Sequence, residues 1–236
     1  MDIKRKGSLE IWTMILSFIV LVFTMLGVCL HIGFVHKIDL AAFNWFDRMF
    51  EEPAMNYSGG WFNDIMTIVA SYGDVLTFVL LSIAGAIILI VKRYYLLSLW
   101  ILATVGFGGI LGVILKAVFH RSRPYDHLLV DTGFSFPSGH SLSSTLIAMI
   151  LLSVVMPKFS NKALRFTAYV MIAVLWGSIL FSRLYFHAHF LTDVLGGTAL
   201  GILWVLGMKY IGHLITPFLQ KLPLLKKSKI YTLCTK

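Results

Sequence analysis

Long apolar runs alternate with short polar turns along the whole chain of 236 residues. A helix needs about 20 apolar residues to cross a bilayer. The pattern predicts six such helices, at residues 11–34, 74–91, 94–115, 139–157, 166–186 and 191–212. Lys-Arg-Lys precedes the first predicted helix, as it would a signal peptide. The apolar core of this helix is too long for a signal peptide, however, and no small-residue cleavage site follows it. We therefore expect the first helix to remain uncleaved.

The longest connection between the predicted spans covers residues 36–73. Its second half, WFNDIMTIVASYGD, has a polar start and predicts a short helix lying in the membrane interface before the second span. We find no sequence repeat and no linker, so residues 1–236 form a single membrane domain. The predicted fold is an all-α integral membrane protein, a six-transmembrane-helix bundle with a short interfacial helix in the outer 36–73 connection.

Composition agrees with a membrane protein, since 58% of the residues are hydrophobic and 13% are charged. Soluble domains are nearer half apolar and a quarter charged. With the N-terminus in the cytoplasm, fourteen of the 20 Lys and Arg residues lie on the cytoplasmic side and six on the outer side. This orientation agrees with the excess of Lys and Arg that cytoplasmic loops of membrane proteins carry. The sequence thus predicts a multi-pass cell-membrane protein with both termini cytoplasmic. The net charge of +9 then reflects topology and not nucleic-acid binding, and 213–236 is a basic cytoplasmic tail near anionic headgroups.

Several ionisable residues nevertheless lie near predicted span ends on the outer face, and they are widely separated in sequence. They are Lys116, Arg123, His140, Arg183, His189 and Asp193. Ionisable groups at membrane depth are costly, so they are functional candidates by default. We expect them to converge on one outer site.

Three cations and a helix terminus in this set suit an anion. Lys116 and Arg123 are seven positions apart and share one face if the helix continues between them. Arginine side chains carry planar forks that match phosphate oxygens. In FPSGHS, Ser138 is a natural N-cap, which leaves the amides of Gly139 and its neighbours at a positive helix end. The pocket should bind a compact, multiply charged anion.

Two histidines and an aspartate supply reactive groups. His189 and Asp193 are at positions i and i+4, so they share a face of a helix. A carboxylate on one ring nitrogen fixes the tautomer and leaves the other nitrogen to attack. His140 can give a proton to a leaving oxygen. Phosphoryl transfer is mostly positioning and charge stabilisation, and Asp126 and Asp131 show no metal-ligand spacing, so we expect no metal.

Three motifs resemble those of a known family, the type 2 phosphatidic acid phosphatase superfamily. Residues 116–124, KAVFHRSRP, resemble its K-x6-R-P signature, and residues 137–140 resemble P-S-G-H. Residues 182–193, SRLYFHAHFLTD, resemble S-R-x5-H-x3-D. All three are complete and in the order of the family. The resemblance covers about residues 60–212, which we take as the phosphatase core.

The resemblance implies a six-helix core that hydrolyses phosphate esters through a phosphohistidine without a metal cofactor. It implies His189 as the nucleophile, Asp193 as its orienting partner and His140 as the acid. The residues that it implies for the phosphate cradle are Lys116, Arg123, Ser138, Gly139 and Arg183. The sequence looks most like bacterial membrane lipid phosphatases of the phosphatidylglycerophosphatase B type, which implies phosphatidylglycerophosphate, phosphatidic acid or undecaprenyl pyrophosphate as the lipid substrate.

Two other functions remain open. A lipid phosphotransferase would use the same residues and pass the phosphoryl group from His189 to a hydroxyl, so its product would depend on an acceptor. A non-catalytic anion or lipid transporter would keep its function without His189. Among the remaining residues, we expect His187 to be a packing residue. We expect His120 and Arg121 to face water rather than to line the pocket. We also expect the glycine pairs Gly108-x-x-x-Gly112 and Gly197-x-x-x-Gly201 to pack within one chain.

Overall fold

The computed structural model describes residues 3–125 and 133–229, with side chains from residue 7 onward. These residues form eight α-helices and no strand. The helices are α1 (Ile3–Cys29), α2 (Gly33–Phe50), α3 (Gly60–Tyr72), α4 (Val75–Val91), α5 (Tyr95–Phe119), α6 (Gly139–Ile150), α7 (Lys162–Tyr185) and α8 (Leu191–Leu219). A π-helical turn, Leu151–Val155, and a 3₁₀ turn, Met156–Lys158, extend α6. The prediction of an all-α fold is confirmed.

The membrane-spanning helices agree with the predicted bundle, apart from the first and second spans. The predicted span 11–34 is too long, because α1 ends at Cys29 and the chain turns at His31 before α2 begins. Within the part of the chain that the structure describes, five stretches are long and apolar enough to cross a bilayer, within α1, α5, α7 and α8 and across α6 with its two turns. Helix α4 has 17 residues, about 26 Å at 1.5 Å per residue, which is short for a hydrocarbon core of about 30 Å. Together α3 and α4, bent by 56°, make a sixth candidate. The predicted span at 74–91 corresponds to α4, which alone is short for the bilayer and reaches the full thickness only together with α3.

The connection at residues 36–73 contains two helices where the sequence predicted one. The predicted helix at residues 61–74 corresponds to α3, whereas α2 was not predicted. Its buried residues, Val35, Asp39, Phe43 and Phe46, recur at helical spacing and form one face. Polar residues interrupt the apolar pattern of α2, which is why the sequence alone did not reveal it. This face contacts α7 and α8, so α2 lies against the bundle.

Helix α8 lies at the centre of the bundle, with its largest contacts to α6 and α1. Small residues permit these contacts. A Cβ atom on Gly197 would lie 2.6 Å from the carbonyl oxygen of Ser138, and one on Gly201 would lie 2.8 Å from Thr145 Cβ. A Cβ on Gly112 would lie 2.6 Å from Leu142. The prediction that these glycines let helices of the same chain approach closely is confirmed.

Replacing Gly197 with alanine should destabilise the protein by about 1–3 kcal/mol, because the added methyl group meets backbone at the start of α6. Gly207→Ala on the same helix is the matched control, since a Cβ there has no atom within 4 Å. That change should be neutral or stabilise by up to about 1 kcal/mol through helix propensity. Thermal unfolding in detergent measures both. Equal unfolding temperatures for the two variants would contradict this account of the α6–α8 contact.

The end of the bundle at which α4 connects to α5 carries basic residues and the C-terminal segment. The Nζ atom of Lys209 donates to Glu10 at 2.6 Å and so joins α8 to α1. The amide of Lys229 donates to the carbonyl of Arg93 at 2.8 Å, and its ammonium lies over the ring of Tyr94. Helix α8 extends to Leu219, so the predicted tail, 213–236, begins inside this helix.

Candidate active site

Four helix termini meet at the other end of the bundle and carry the residues of the three motifs. Lys116 lies in the last turn of α5, and its ammonium donates to the carbonyl of Phe134. His120, with φ of 46°, ends this helix four residues before Pro124. Arg123 therefore lies in a loop, and the condition for a shared helix face with Lys116, a helix that continues between them, is not met. The left-handed turn at His120 is the physical reason.

The loop nevertheless brings Arg123 to the third motif. Its Nη1 atom donates to the carbonyl of Ala188 at 2.7 Å, and its Nε atom donates to the carbonyl of Gly133 at 3.1 Å. Nη1 also lies 3.3 Å from Nε2 of His189. The guanidinium is thus held beside the ring nitrogen of His189 by backbone carbonyls.

Ser138 caps α6, as its sequence predicted. Its side-chain oxygen accepts from the amide of Ser141 at 3.4 Å and from the hydroxyl of the same residue at 3.0 Å. The amide of Ser138 donates to the carbonyl of Asp193 at 3.1 Å, which joins the starts of α6 and α8. A Cβ on Gly139 would lie 3.9 Å from Lys116 Cε, so the first amides of α6 are close to a cation. The cap and the ammonium together favour an anion at this point.

The second histidine and the third cation are in contact. His140 lies in the first turn of α6, and its Nε2 atom lies 3.2 Å from Nη1 of Arg183 in the last turn of α7. Because a guanidinium can only donate, the histidine nitrogen accepts in this contact. Arg183 is only 2% exposed, so a buried cation faces this ring.

His189 and Asp193 are paired, although they do not share a helix face. Helix α8 begins at Leu191, so His189 lies in the preceding loop. The amide of Phe190 donates to Oδ2 of Asp193 at 2.9 Å, and this contact caps the helix. The Nδ1 atom of His189 lies 3.6 Å from the same Oδ2, which is longer than a hydrogen bond. The i, i+4 spacing predicted the pair, but a shared helix face would require α8 to include His189, and the helix begins two residues later.

The surroundings of the His189 ring define its tautomer and charge. Arg123 donates toward Nε2, so this nitrogen carries the lone pair and the Nδ1 proton faces Asp193. Burial, more than any other effect, lowers the pKa of His189 to about 4, against the opposing charge of Asp193. Arg123 and Lys116 lower the pKa further. At neutral pH the ring is therefore uncharged, with one nitrogen available as a nucleophile.

Comparison with known proteins agrees with this arrangement. The PAP2 superfamily matches residues 97–216, just over half of the chain. The chain belongs to the PAP2 superfamily. It is 30% identical over 207 residues to phosphatidylglycerophosphatase B of Bacillus subtilis (strain 168), covering 85% of this chain and 96% of that protein.

A solved structure extends the similarity to the fold. The crystal structure of the first transmembrane PAP2 type phosphatidylglycerolphosphate phosphatase from Bacillus subtilis matches with a TM-score of 0.65 and 26% identity. The match covers 84% of this chain and 96% of that one. The predicted membership of the family and the predicted similarity to membrane enzymes of the phosphatidylglycerophosphatase B type are confirmed.

Two residues of this PAP2 site were not recognised in the sequence. Arg121 was expected to face water, but its side chain is only 15% exposed and donates to Oδ1 of Asp193 at 2.6 Å. It also donates to Oδ2 of Asp39 on α2 at 2.5 Å. The expectation for Arg121 is therefore wrong, because the turn at His120 directs the chain back into the bundle. A signal available in the sequence was Asp39, which lies at helical spacing from Val35, Phe43 and Phe46 and so falls on the apolar face of α2.

The other histidines near the PAP2 site have separate surroundings. His120 is exposed, and its ring lies 4.4 Å from the ring of Phe134 between centroids. His187 is 2% exposed and lies 4.6 Å from the ring of Phe43, in agreement with the predicted packing role. Among the described residues, no three His, Cys, Asp or Glu side chains are grouped closely enough to hold a metal ion. Asp126 and Asp131 lie outside the described residues.

Proposed function

We propose that this lipid phosphatase of the PAP2 superfamily hydrolyses a phosphate monoester or pyrophosphate on a membrane lipid through a phosphohistidine at His189. One observation carries the proposal. The ring of His189 has Asp193 on one nitrogen and the cation of Arg123 beside the other. Such a ring is oriented, uncharged and adjacent to a phosphate-binding group, which is what a histidine nucleophile requires.

In the first step, Nε2 of His189 attacks phosphorus. The N–P bond forms while the bond from phosphorus to the lipid oxygen breaks. His140 takes up a proton from the phosphate group as the substrate binds, and it gives this proton to the lipid oxygen. The Nδ1 proton of His189 stays on the ring, and Asp193 stabilises the positive charge that develops there. The lipid leaves as an alcohol, or as a lipid monophosphate when the substrate is a pyrophosphate.

In the second step, a water molecule attacks the phosphorus of the phosphohistidine. His140, now neutral, takes a proton from this water. The N–P bond breaks, its electron pair returns to Nε2 of His189, and inorganic phosphate departs. His140 returns its proton to the departing phosphate, so both histidines regain their starting protonation states and the cycle needs no further reactant.

The cations hold the phosphate through both steps. Lys116 and Arg183 lie at the start of α6, where Ser138 caps the helix, and Arg123 lies beside the Nε2 atom of His189. Charge spreads over the phosphoryl oxygens in the transition state, so preorganised cations stabilise it more than the ground state. Arg183, which donates to His140 in the structure, turns to the phosphate oxygens in the reacting complex. The Nε2 atom of His140 is then available to carry the proton.

An apolar cavity beside the site supports a lipid substrate over a soluble ester. It lies between α4, α5 and α6, has a volume of about 150 Å³, and is lined by apolar side chains that include Val75, Phe78 and Val113. Lys116 and Gly139 line the same cavity. An acyl or prenyl chain in this cavity would place its phosphate directly beside the cradle.

We place the site on the extracytoplasmic face of the cell membrane. The four helix termini of the site lie together, and the turn at Arg93, with the C-terminal segment packed against it, lies at the other end of the bundle. The excess of Lys and Arg falls on that second end, which favours a cytoplasmic position for it and for both chain termini.

Phosphate release by the purified full-length protein in detergent tests the proposal. The substrates are phosphatidylglycerophosphate, phosphatidic acid, undecaprenyl pyrophosphate and a water-soluble phosphate monoester, each with and without EDTA. We expect release from at least one lipid that EDTA does not reduce, and at least about tenfold lower kcat/KM for the soluble ester. Phosphatidylglycerophosphate is tested first, because the curated Bacillus subtilis protein and the solved structure are both named for it.

Three outcomes would contradict the proposal. Loss of release in EDTA would mean that the reaction requires a metal. A product that appears only when a hydroxyl acceptor is added would indicate a phosphotransferase. No turnover of any of these substrates by folded protein, with or without an acceptor, would indicate that the site only binds anions.

A further inference from the structure

A buried ionic network joins α2 to the first turn of α8. The guanidinium of Arg121 donates through Nη1 to Asp193 and through Nη2 to Asp39, at 2.6 and 2.5 Å. Nη1 also donates to the hydroxyl of Thr192 at 2.7 Å. The amide of Thr192 donates to Oδ1 of Asp39 at 2.9 Å, and its hydroxyl donates to Oδ2 at 2.7 Å. Each oxygen of the Asp39 carboxylate therefore has a partner at the start of α8.

Burial of these charged groups would destabilise the fold if any member of the network were missing. Asp39 and Asp193 have no exposed surface, and a buried carboxylate needs a cation or several donors to remain ionised. Arg121 serves both carboxylates because its planar fork presents two separate N–H arms. Its flat face also lies 4.5 Å from the ring centroid of Phe190, which restricts it further. A lysine in this position would offer a point charge and could not bridge the two acids in the same way.

The two oxygens of Asp193 have different partners. Oδ1 accepts from Arg121, whereas Oδ2 accepts from the amide of Phe190 and faces the Nδ1 atom of His189. The contact to Arg121 thus prevents the carboxylate from rotating away from the histidine. Asp39 in turn restrains Arg121 from the opposite side, since it holds the second arm of the same fork.

We propose that Arg121 and Asp39 are positioning residues that hold Asp193 against His189, so that α2 is part of the catalytic apparatus. This inference rests on the proposed function of His189 as nucleophile. Neither residue contacts the phosphate cradle in the network, so both act through Asp193. Their loss should lower kcat through a misaligned nucleophile and leave substrate affinity almost unchanged.

The test uses Arg121→Gln, Asp39→Asn and the double variant, all as full-length protein in detergent. Arg48→Gln and Asp47→Asn, both on α2, are the matched controls, because the described contacts of these two residues stay within that helix. Four quantities are measured: kcat, KM for phosphatidylglycerophosphate, the inhibition constant of inorganic phosphate, and the thermal unfolding temperature. The inhibition constant reports on the cradle separately from the nucleophile.

We expect Arg121→Gln to lower kcat about 100-fold and Asp39→Asn about tenfold, with KM and the inhibition constant within about threefold of wild type. The double variant should be no slower than Arg121→Gln, because both residues act through one contact and their effects are not additive. The two controls should keep wild-type kcat. If Arg121→Gln does not fold, Arg121→Lys replaces it, with an expected tenfold loss of kcat because lysine cannot bridge both acids.

Other results would overturn the inference. If both single variants keep kcat within about threefold of wild type, the network has no positioning role. If KM and the inhibition constant rise with the fall in kcat, the network supports the cradle instead. If the losses in the double variant multiply, the two residues act independently. A wild-type protein that releases no phosphate would instead refute the proposed function, and the inference with it.

Discussion

His189→Ala should abolish phosphate release, with kcat/KM reduced by at least about 10⁴-fold. No other ring nitrogen among the described residues lies between Asp193 and a site cation, so the variant has no replacement nucleophile. Release of phosphate from the preferred lipid is the measurement. His213→Ala is the matched control, since that residue is exposed on α8 and should keep wild-type activity.

A second readout separates a lost nucleophile from a lost fold. Wild-type protein quenched during turnover of a lipid labelled in its phosphate should carry an acid-labile label, as a phosphohistidine does. The His189→Ala variant should carry none, while its unfolding temperature stays close to that of wild type. Activity that persists in this variant would assign the nucleophile to another residue, and His140 would be the next to replace.

Arg183→Gln should lower kcat/KM by about 10³-fold, the next largest effect, because a cation that stabilises a phosphoryl transition state contributes on this scale. The side chain is buried at the end of α7 and lies 3.2 Å from His140, so its loss affects both the cradle and the acid. Steady-state kinetics with the preferred lipid measure the change. Arg165→Gln at the start of the same helix is the matched control, and it should remain within about twofold of wild type.

The division between kcat and KM tests the assigned role of Arg183. A cation used mainly in the transition state should affect kcat more than KM. A variant in which only KM rises would mean that Arg183 binds lipid and phosphate product alike and does not assist the reaction. Arg183→Lys should recover part of the lost rate, because it restores the charge without the planar fork.

Much of the fold could be predicted from the lengths of the apolar runs alone. The predicted starts of α5, α6 and α8 lie within one residue of those in the structure, because each apolar run begins at a polar turn. Helix α2 did not follow from the pattern. Its apolar face includes Asp39, whose burial makes sense only beside Arg121, and these residues are 82 positions apart.

The motif residues also followed from the sequence, because their spacing within each motif is short and their order along the chain is characteristic. The contacts between these motif side chains, however, depend on the conformations of the loops that carry them. The left-handed turn at His120 separates Lys116 from Arg123 and directs Arg121 inward. Because α8 begins at Leu191, His189 lies in a loop, where Arg123 reaches it.

The sequence by itself therefore determined the class of the protein, its membrane helices and the residues at the centre of the site. These depend on the length of apolar runs and on local spacing, and both are present in the linear chain. Only the tertiary structure decided which side chains support Asp193. That support comes from α2 and from the loop after α5, and a buried ionic contact between distant segments has no local pattern from which it could be predicted.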